Sequence, residues 1–428
     1  MTKSCIFRSL IVVMVLALFV SSPALAQNGC HEEVLQPQVA RETSPEVAEE
    51  ELQELVDGNT AFALDLYQAL RGMEENKGEN LFYSPYSISL ALAMAYAGAR
   101  GETKEQMAAA LHFALPQERT HPAFDALDLA ITSRKQQGIE LNTANAFWAQ
   151  LGYSFLQDYI DLLAKNYGAE IRLLGFQSTP DACRVHINDW VTEETEGKIE
   201  DLLPPGSIDP LTRLILTNAI YFKGTWKYQF DPWRTHEDAF HLLGGGTQNA
   251  SMMMVEEAWF GYTDGYLDDG YYQAVELPYV GEELSMVILL PELEKFEQFE
   301  RALHADRLGE ILGELWRREV HLVMPKFSFT SGFDLKGMLC KLGMPAAFSE
   351  EADFSGMDGT HDLWIDDVYH KAFIKVDEQG TEAAAATGNV MVPAAPIPVW
   401  IDHPFILLIR DRETGVILFL GRVLNPEK

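Results

Sequence analysis

Few positions in this 428-residue chain combine residue types that do chemistry. His236 and His241 could offer two imidazoles to zinc, but they stand five apart. On a helix of 3.6 residues per turn that offset turns them away from a common face, so they cannot share one ion. Cys183 and His186 make a single C-x-x-H pair, with no second pair to complete a metal knuckle. Beyond the first segment only Cys30, Cys183 and Cys340 remain, too few and too widely spaced for a disulfide framework. Cys183 then reads as a buried thiol, His186 as a surface histidine and Cys30 as a tail residue. Asp268-Asp269, between Gly265 and Gly270, reads as a hydrated turn. Gly244-Gly245-Gly246 lacks a phosphate-binding lysine and reads as a surface turn. The sequence contains no G-x-S-x-G, H-E-x-x-H, G-x-x-x-x-G-K or C-x-x-C, so no catalyst, metal site or cofactor is expected.

One stretch invites chemistry done by another protein. "EQGTEAAAATGNVMVPAAPIP", residues 378 to 398, is far longer than the usual connection in a compact domain, and loops of this length are commonly functional or disordered. Four alanines favour a helix turn. Gly380 before them, Gly388 and Asn389 after them, and prolines at 393, 396 and 398 keep any helix brief. The proline-spaced second half should be extended and exposed. That is how a protease holds its substrate, so the chain displays a cleavable strand.

The elements that must carry this loop follow from period and punctuation. Apolar residues at helical spacing, among them Leu52, Leu55, Val56, Phe62, Leu66 and Leu70, predict a helix over 46–71. Ser84-Pro85 is an N-cap followed by proline in the first turn, and predicts a helix to Gly98. "LILTNAIYF", 214–222, predicts a central strand buried on both faces. Further strands are expected at 141–149, 272–278, 284–290, 319–329, 363–376, 399–410 and 416–422. Helices dominate the first half and strands the second, so the expected class is α+β with mainly antiparallel or mixed sheets. No linker or internal repeat divides the chain, and one large domain over 46–428 is expected.

Residues 1–26 carry Lys3 and Arg8, the apolar run Leu10 to Val20 and the small-residue end Ala24-Leu25-Ala26. They read as a secretory signal cleaved after Ala26, with an apolar core too short for a comfortable membrane span. The mature chain should be soluble and either secreted or periplasmic, with an acidic N-terminal tail over 27–45. Gln27-Asn28-Gly29 before Cys30 lacks the aliphatic residue of a lipid-anchor site. Without the signal, 30 basic residues face 64 acidic ones, a net charge of −34. Such a chain repels nucleic acid, anionic membranes and heparin-like polymers. Asn249-Ala250-Ser251 is a lone glycosylation sequon.

Five blocks in order give the chain a resemblance to the serpins: "NLFYSPYSISLALAMAYAGARGET" (80–103), "LNTANAFWAQ" (141–150), "TNAIYFKGTW" (217–226), "VYHKAFIKVDEQGTEAAAAT" (368–387) and "DHPFILLIRDRETGVILFLGRVLNP" (402–426). The resemblance implies three sheets, about nine helices and an exposed reactive loop at residues 378–398. It also implies a monomer whose partner is a serine protease, caught as a covalent acyl complex when the cut loop inserts into the main sheet. The hinge would be Glu378, Gly380, Thr381, Glu382, Ala383, Ala384, Ala385, Ala386 and Thr387. Inserted as a strand, Thr381, Ala383, Ala385 and Thr387 would take one face and Glu382, Ala384 and Ala386 the other. Small side chains lower the steric barrier to that insertion. The composition fits the inhibitory pattern; a non-inhibitory carrier, chaperone or storage relative typically breaks it with proline, charge or bulk. Asn218, Trp226 and His370 match residues that the family places where the loop first inserts, and core packing is an equal reading for them.

The family's count from Glu378 ends at Ala394, which makes Ala394–Ala395 the reactive bond. Val392-Pro393 and Ala395-Pro396 put a proline just after the bond, where many serine proteases cleave poorly, and Pro393-Ala394 would need proline in the primary pocket. Val390-Met391 and Met391-Val392 stay open. The span from Ala395 to Pro404 is about one residue shorter than in many relatives, which leaves the register open by one residue. Alanine as bait points to elastase-like or subtilisin-like proteases with a small apolar pocket, and away from trypsin.

Overall fold

The computed structural model describes residues 29–134, 138–267, 270–380 and 395–428. Helix α1 (Glu49–Arg71) buries the stripe Leu55, Val56, Phe62, Leu66 and Leu70, while Glu49, Glu50 and Glu51 occupy its positive N-terminal end. In α2 (Pro85–Gly98) the Ser84 side chain accepts from the Ser87 amide at 3.1 Å, and Pro85 occupies the first turn where no amide donor is missed. Every residue of α2 is buried, because it threads the core between two sheets. α3 (Gly101–Ala110), α4 (Gln117–Thr132), α5 (Gln157–Tyr167) and α6 (Pro180–Glu194) follow. The short α7 (Phe296–Ala302), α8 (Ala305–Gly313), α9 (Lys336–Lys341) and α10 (Ser355–Asp358) make ten among the described residues, against about nine expected.

The first sheet holds β1 (Glu32–Val34), β3 (Ile139–Gln150), β4 (Ile171–Leu174), β5 (Leu214–Gly224), β11 (Phe327–Asp334) and β12 (Asp367–Val376). Their order is β1-β4-β3-β5-β12-β11. As its composition predicts, β5 is central and buried on both faces. The second ladder comprises β2 (Leu81–Tyr83), β6 (His236–His241), β7 (Thr247–Leu267), β8 (Gly270–Pro278), β9 (Leu284–Pro291), β10 (Trp316–Pro325), β13 (Ile397–Trp400), β14 (Phe405–Asp411) and β15 (Ile417–Val423). Its order is β13-β10-β7-β8-β9-β14-β15-β2, with β6 on β7. β7 pairs first with β6 and β10 and then with β8, so one strand belongs to two sheets. Counted that way the described residues form three sheets in an α+β arrangement.

Several sequence expectations change. The strand expected at 319–329 is two: Pro325 ends β10 and the chain crosses to the first sheet as β11. That expected at 399–410 splits into β13 and β14 around Pro404. β7 is invisible to a period-of-two search, because Glu256 and Glu257 interrupt it where its register with β10 shifts. His236 and His241 lie on strand β6 rather than on a helix, where an odd offset also directs them to opposite faces. Gly245 and Gly246 form the tight turn between β6 and β7, both at φ 84°. Asp268 and Asp269 lie outside the described residues.

The reading of the cysteines is corrected. Cys30 and Cys183 form a disulfide across 153 positions, so Cys30 is no free tail residue and Cys183 no free thiol; Cys340 alone is free among the described residues. Residues 32–34 of the segment expected as an acidic tail pair antiparallel with β4 at the sheet edge. Glu32 pairs with Arg172 at 2.8 Å and with His186 at 3.1 Å. Composition favoured a tail, but the Glu32 carboxylate meets a guanidinium placed by β4 and an imidazole placed by α6. Helix α6 lies over the sheet face, with Cys183, Ile187 and Val191 packed among Ala144, Ala146, Trp148, Ile215, Ala219 and Tyr369.

Candidate functional site

The loop departs from the end of β12, where the first sheet is open. β5 and β12 run parallel and pair from Asp367 with Ile215 to Phe373 with Tyr221, seven register pairs. Beyond Phe373, residues Ile374–Val376 pair with β11, and Phe222–Gly224 pair with β3. The ladder between the two central strands therefore stops short of the loop-bearing end. A narrow cleft remains there, lined by Phe222, Gly224, Trp226, Ile374, Val376 and Gly380.

The first residues of the loop are anchored over this cleft. The Trp226 indole Nε1 donates to the Asp377 carbonyl at 3.1 Å, and its amide donates to the Gln379 carbonyl at 3.2 Å. The ring stacks on Tyr279 at a centroid distance of 4.6 Å. The Phe230 amide donates to the Glu378 carbonyl at 3.0 Å. Burial pushes the Glu378 carboxyl up, but Lys326 at 2.8 Å and the Thr235 hydroxyl at 2.7 Å outweigh it and hold it below the usual range. Gly380 has φ +70°, and a Cβ there would stand 2.4 Å from both the Gly224 carbonyl oxygen and the Trp226 nitrogen. Only glycine fits.

Hinge residues Thr381, Glu382, Ala383, Ala384, Ala385, Ala386 and Thr387, and Ala394 of the expected bond, lie outside the described residues. The chain resumes with exposed Ala395 and joins the second ladder as β13, parallel to β10.

A buried polar cluster underlies the closed part of the seam. His370 on β12 lies opposite Asn218 on β5. Its Nε2 accepts from the Ser84 amide at 3.1 Å, so the proton sits on Nδ1 and is donated to Asn218 Oδ1. Asn218 Nδ2 donates to Ser87 Oγ at 2.6 Å and to Asn145 Oδ1, and Ser87 Oγ donates to Asn145 at 3.0 Å. Burial pushes the imidazole down to about 3 and keeps it neutral. β3, β5, β12 and the start of α2 thus meet on five side-chain or backbone polar groups.

Of the three residues matched by resemblance, Trp226 touches the hinge. Asn218 and His370 meet each other about 25 Å away along the strand direction, at about 3.3 Å per residue. Sequence reasoning did not single out Ser84, Ser87 or Asn145 for this cluster. Ser84 was recognised only as a helix cap, and Asn145 stood unmarked among strand formers. Polar residues inside buried strands are the signal that could have found them.

Comparison with known proteins accounts for this arrangement. Residues 57–426 match the family model described as Serpin (serine protease inhibitor). The chain is 40% identical to the leukocyte elastase inhibitor of Sus scrofa, covering 88% of this chain and all of that one. It is 40% identical to an uncharacterized serpin-like protein of Thermococcus kodakarensis, covering 87% of this chain and 86% of that one. Human thyroxine-binding globulin, solved in complex with thyroxine, superposes with a TM-score of 0.79 at 30% identity, over 88% of this chain and all of that one. The protein belongs to the serpin family, whose members generally inhibit proteases and are not catalysts.

Proposed function

We propose that the chain is an exported suicide-substrate inhibitor of serine proteases with a small apolar primary pocket. The observation that carries this reading is the seam between β5 and β12, parallel over seven pairs and unpaired just below the anchored hinge. A protease serine would attack the Ala394 carbonyl, forming an acyl ester as the bond to Ala395 breaks and the Ala395 amine leaves. The freed segment from Thr381 would then slide between β5 and β12 as an antiparallel strand. One parallel ladder becomes two antiparallel ones, which are slightly more stable per residue. About a dozen new ladder bonds at roughly 0.5–1.5 kcal/mol each amount to order 10 kcal/mol. That rivals a domain's stability and suffices to distort the tethered enzyme before water completes hydrolysis.

The apolar N-terminal segment and the Cys30–Cys183 disulfide both support export to an oxidising compartment, secreted or periplasmic. The name of the Sus scrofa relative supports an elastase-like target, as does alanine at the bait. The acidic surface repels a heparin-like activator, and the reading is of a monomer acting on one protease.

Mixing the mature protein with pancreatic elastase tests the proposal. The expected result is a denaturant-stable band near the summed masses and a released peptide beginning at Ala395, with no stoichiometric trypsin inhibition. Cleavage without that band would return the chain to the non-inhibitory members of the family.

A further inference from the structure

The sheet that receives the far end of the loop carries an outward row of aromatic and basic side chains. Along β10, Arg317, Glu319 and His321 alternate with Val320 and Leu322, both completely buried. The first three therefore face away from the core. Trp259 on β7 lies directly across from Glu319, between buried Ala258 and Phe260. The Arg317 guanidinium sits 5.4 Å from the Trp259 ring centroid. On the other side of β10, Pro398 of β13 lies opposite His321, and Trp400 stacks obliquely on the His321 ring at 6.1 Å. Buried Val399 between them shows that Pro398 and Trp400 share the outward face.

Two features set this row apart. Trp259 is 44% exposed and Trp400 46% exposed, yet both rings are held in place by a neighbouring cation or imidazole. Pre-ordered tryptophan and arginine make an interface strong, because little side-chain entropy is lost on contact. The second feature is continuity with the loop. Pro398 and Trp400 are the third and fifth residues after Ala395, within roughly 10 and 17 Å of the reactive bond along an extended chain at 3.3–3.6 Å per residue. A protease of about 230 residues has a radius of gyration of roughly 17 Å. An enzyme seated on Ala394–Ala395 must lie over this ground, and over a patch where arginine and tryptophan interrupt a strongly acidic surface.

We infer that Trp259, Arg317, Glu319, His321, Pro398 and Trp400 form a docking surface for the body of the target protease. The matching rim of the enzyme lies on the leaving-group side of its cleft, and presents apolar side chains to the tryptophans and a carboxylate to Arg317. This surface rests on the inhibitor reading and deepens it. It selects among proteases that share one primary pocket, and it acts on encounter and not on loop insertion.

The test uses Trp259→Ala and Arg317→Ala, both remote in sequence from the loop, with elastase and subtilisin as probes. The second-order rate of inhibition should fall about tenfold for at least one protease, with unchanged stoichiometry and an unchanged melting temperature. Binding to the same proteases carrying alanine in place of the catalytic serine should weaken by a similar factor. That measurement needs no acylation or insertion, so it reads docking even if the trapping step fails. Trp259→Phe should recover part of the loss. Unchanged rates and affinities with both proteases would overturn the inference. So would a wild-type dimer in sedimentation that Trp259→Ala dissolves, since the row would then serve a second copy of the chain.

Discussion

The two sides of β5 are built differently. Toward β3 the ladder is antiparallel and unbroken over eleven pairs, from Ile139 with Gly224 to Ala149 with Leu214. Beyond β3 and β4 the edge is closed by β1 and stapled to α6 by Cys30–Cys183. Trp148 and Trp190 pack there with ring centroids 5.2 Å apart, under the Arg172 guanidinium. Toward β12 the ladder is parallel and ends early, and its one polar cross-strand pair, His370 with Asn218, joins a cluster that also reaches Asn145 on β3. Separating β5 from β12 exposes groups that an incoming strand or water can satisfy. Separating β5 from β3 would break the longer ladder. The sheet is thus paired over its greater length toward β3 and over its shorter length along the seam that the proposed insertion would use.

Breaking the strong side should have the largest effect on stability. A disulfide closing 153 positions removes loop entropy worth about 5 kcal/mol at most. Replacing both Cys30 and Cys183 with serine should lower the unfolding free energy by about 3–5 kcal/mol in denaturant titration. Complex formation with protease should keep its yield, because the staple lies away from the seam. Loss of the complex together with stability would show that the staple governs opening as well.

Weakening the polar cluster sharpens the other half of the comparison. Asn218→Ala leaves the buried His370 Nδ1–H unsatisfied, at about 1–3 kcal/mol, while Ser87 loses one partner and keeps its bond to Asn145. The cluster also sets a pH response. The folded-state pKa of His370, about 3, lies below its ordinary 6.5, so its stabilising contribution is complete above pH 6.5 and is lost as pH falls toward 3. Buried His121, also pushed down to about 3, acts in the same sense. Asp367, whose carboxyl is pushed up by burial and by Asp334, acts in the opposite sense, so the test is the change on substitution: between pH 7.5 and 5.5 in denaturant titration, His370→Asn should lose less stability, or gain more, than the wild type. An equal difference in that variant would place the titrating group elsewhere.

How legible the molecule was depended on whether the deciding interaction was local. α1, α2 and β5 follow from helical period, a Ser-Pro cap and a branched apolar run, all contained within a few turns or one strand. Ser84 was read as a helix cap from its neighbours, but its amide also fixes the tautomer of His370, 286 positions away. The Cys30–Cys183 pair was misread for the same reason: two isolated thiols carry no local sign of each other, and only the docking of β1 on β4 brings them together. The loop stood out because its length and prolines contradict every regular element. The resemblance, not periodicity, supplied Trp226, Asn218 and His370, and it could not tell that they occupy two separate places.

The smallest change tests the anchor at the open end. Gly380→Ala meets two costs, a left-handed backbone at φ +70° and a Cβ 2.4 Å from two backbone atoms that have no freedom to move aside. Gly206 supplies the control, with φ +85° and nothing within 4 Å of its added Cβ. Gly206→Ala should therefore cost only the backbone term, about 1 kcal/mol. In Gly380→Ala the clash is relieved by lifting Asp377–Gly380 off Trp226, which breaks the indole bond to Asp377 and the amide bond to Gln379. Global stability should change by about 1 kcal/mol or less, since the peeled segment carries few buried contacts. Cleavage within 377–381 by a nonspecific protease should nonetheless accelerate several-fold, and the Trp226 emission should shift to the red. Under the proposed mechanism the hinge is then already released, so inhibition should not slow. If the two glycine variants behave alike, the contacts around Trp226 do not restrain the loop, and the open end of the seam is held by the β11 and β3 ladders alone.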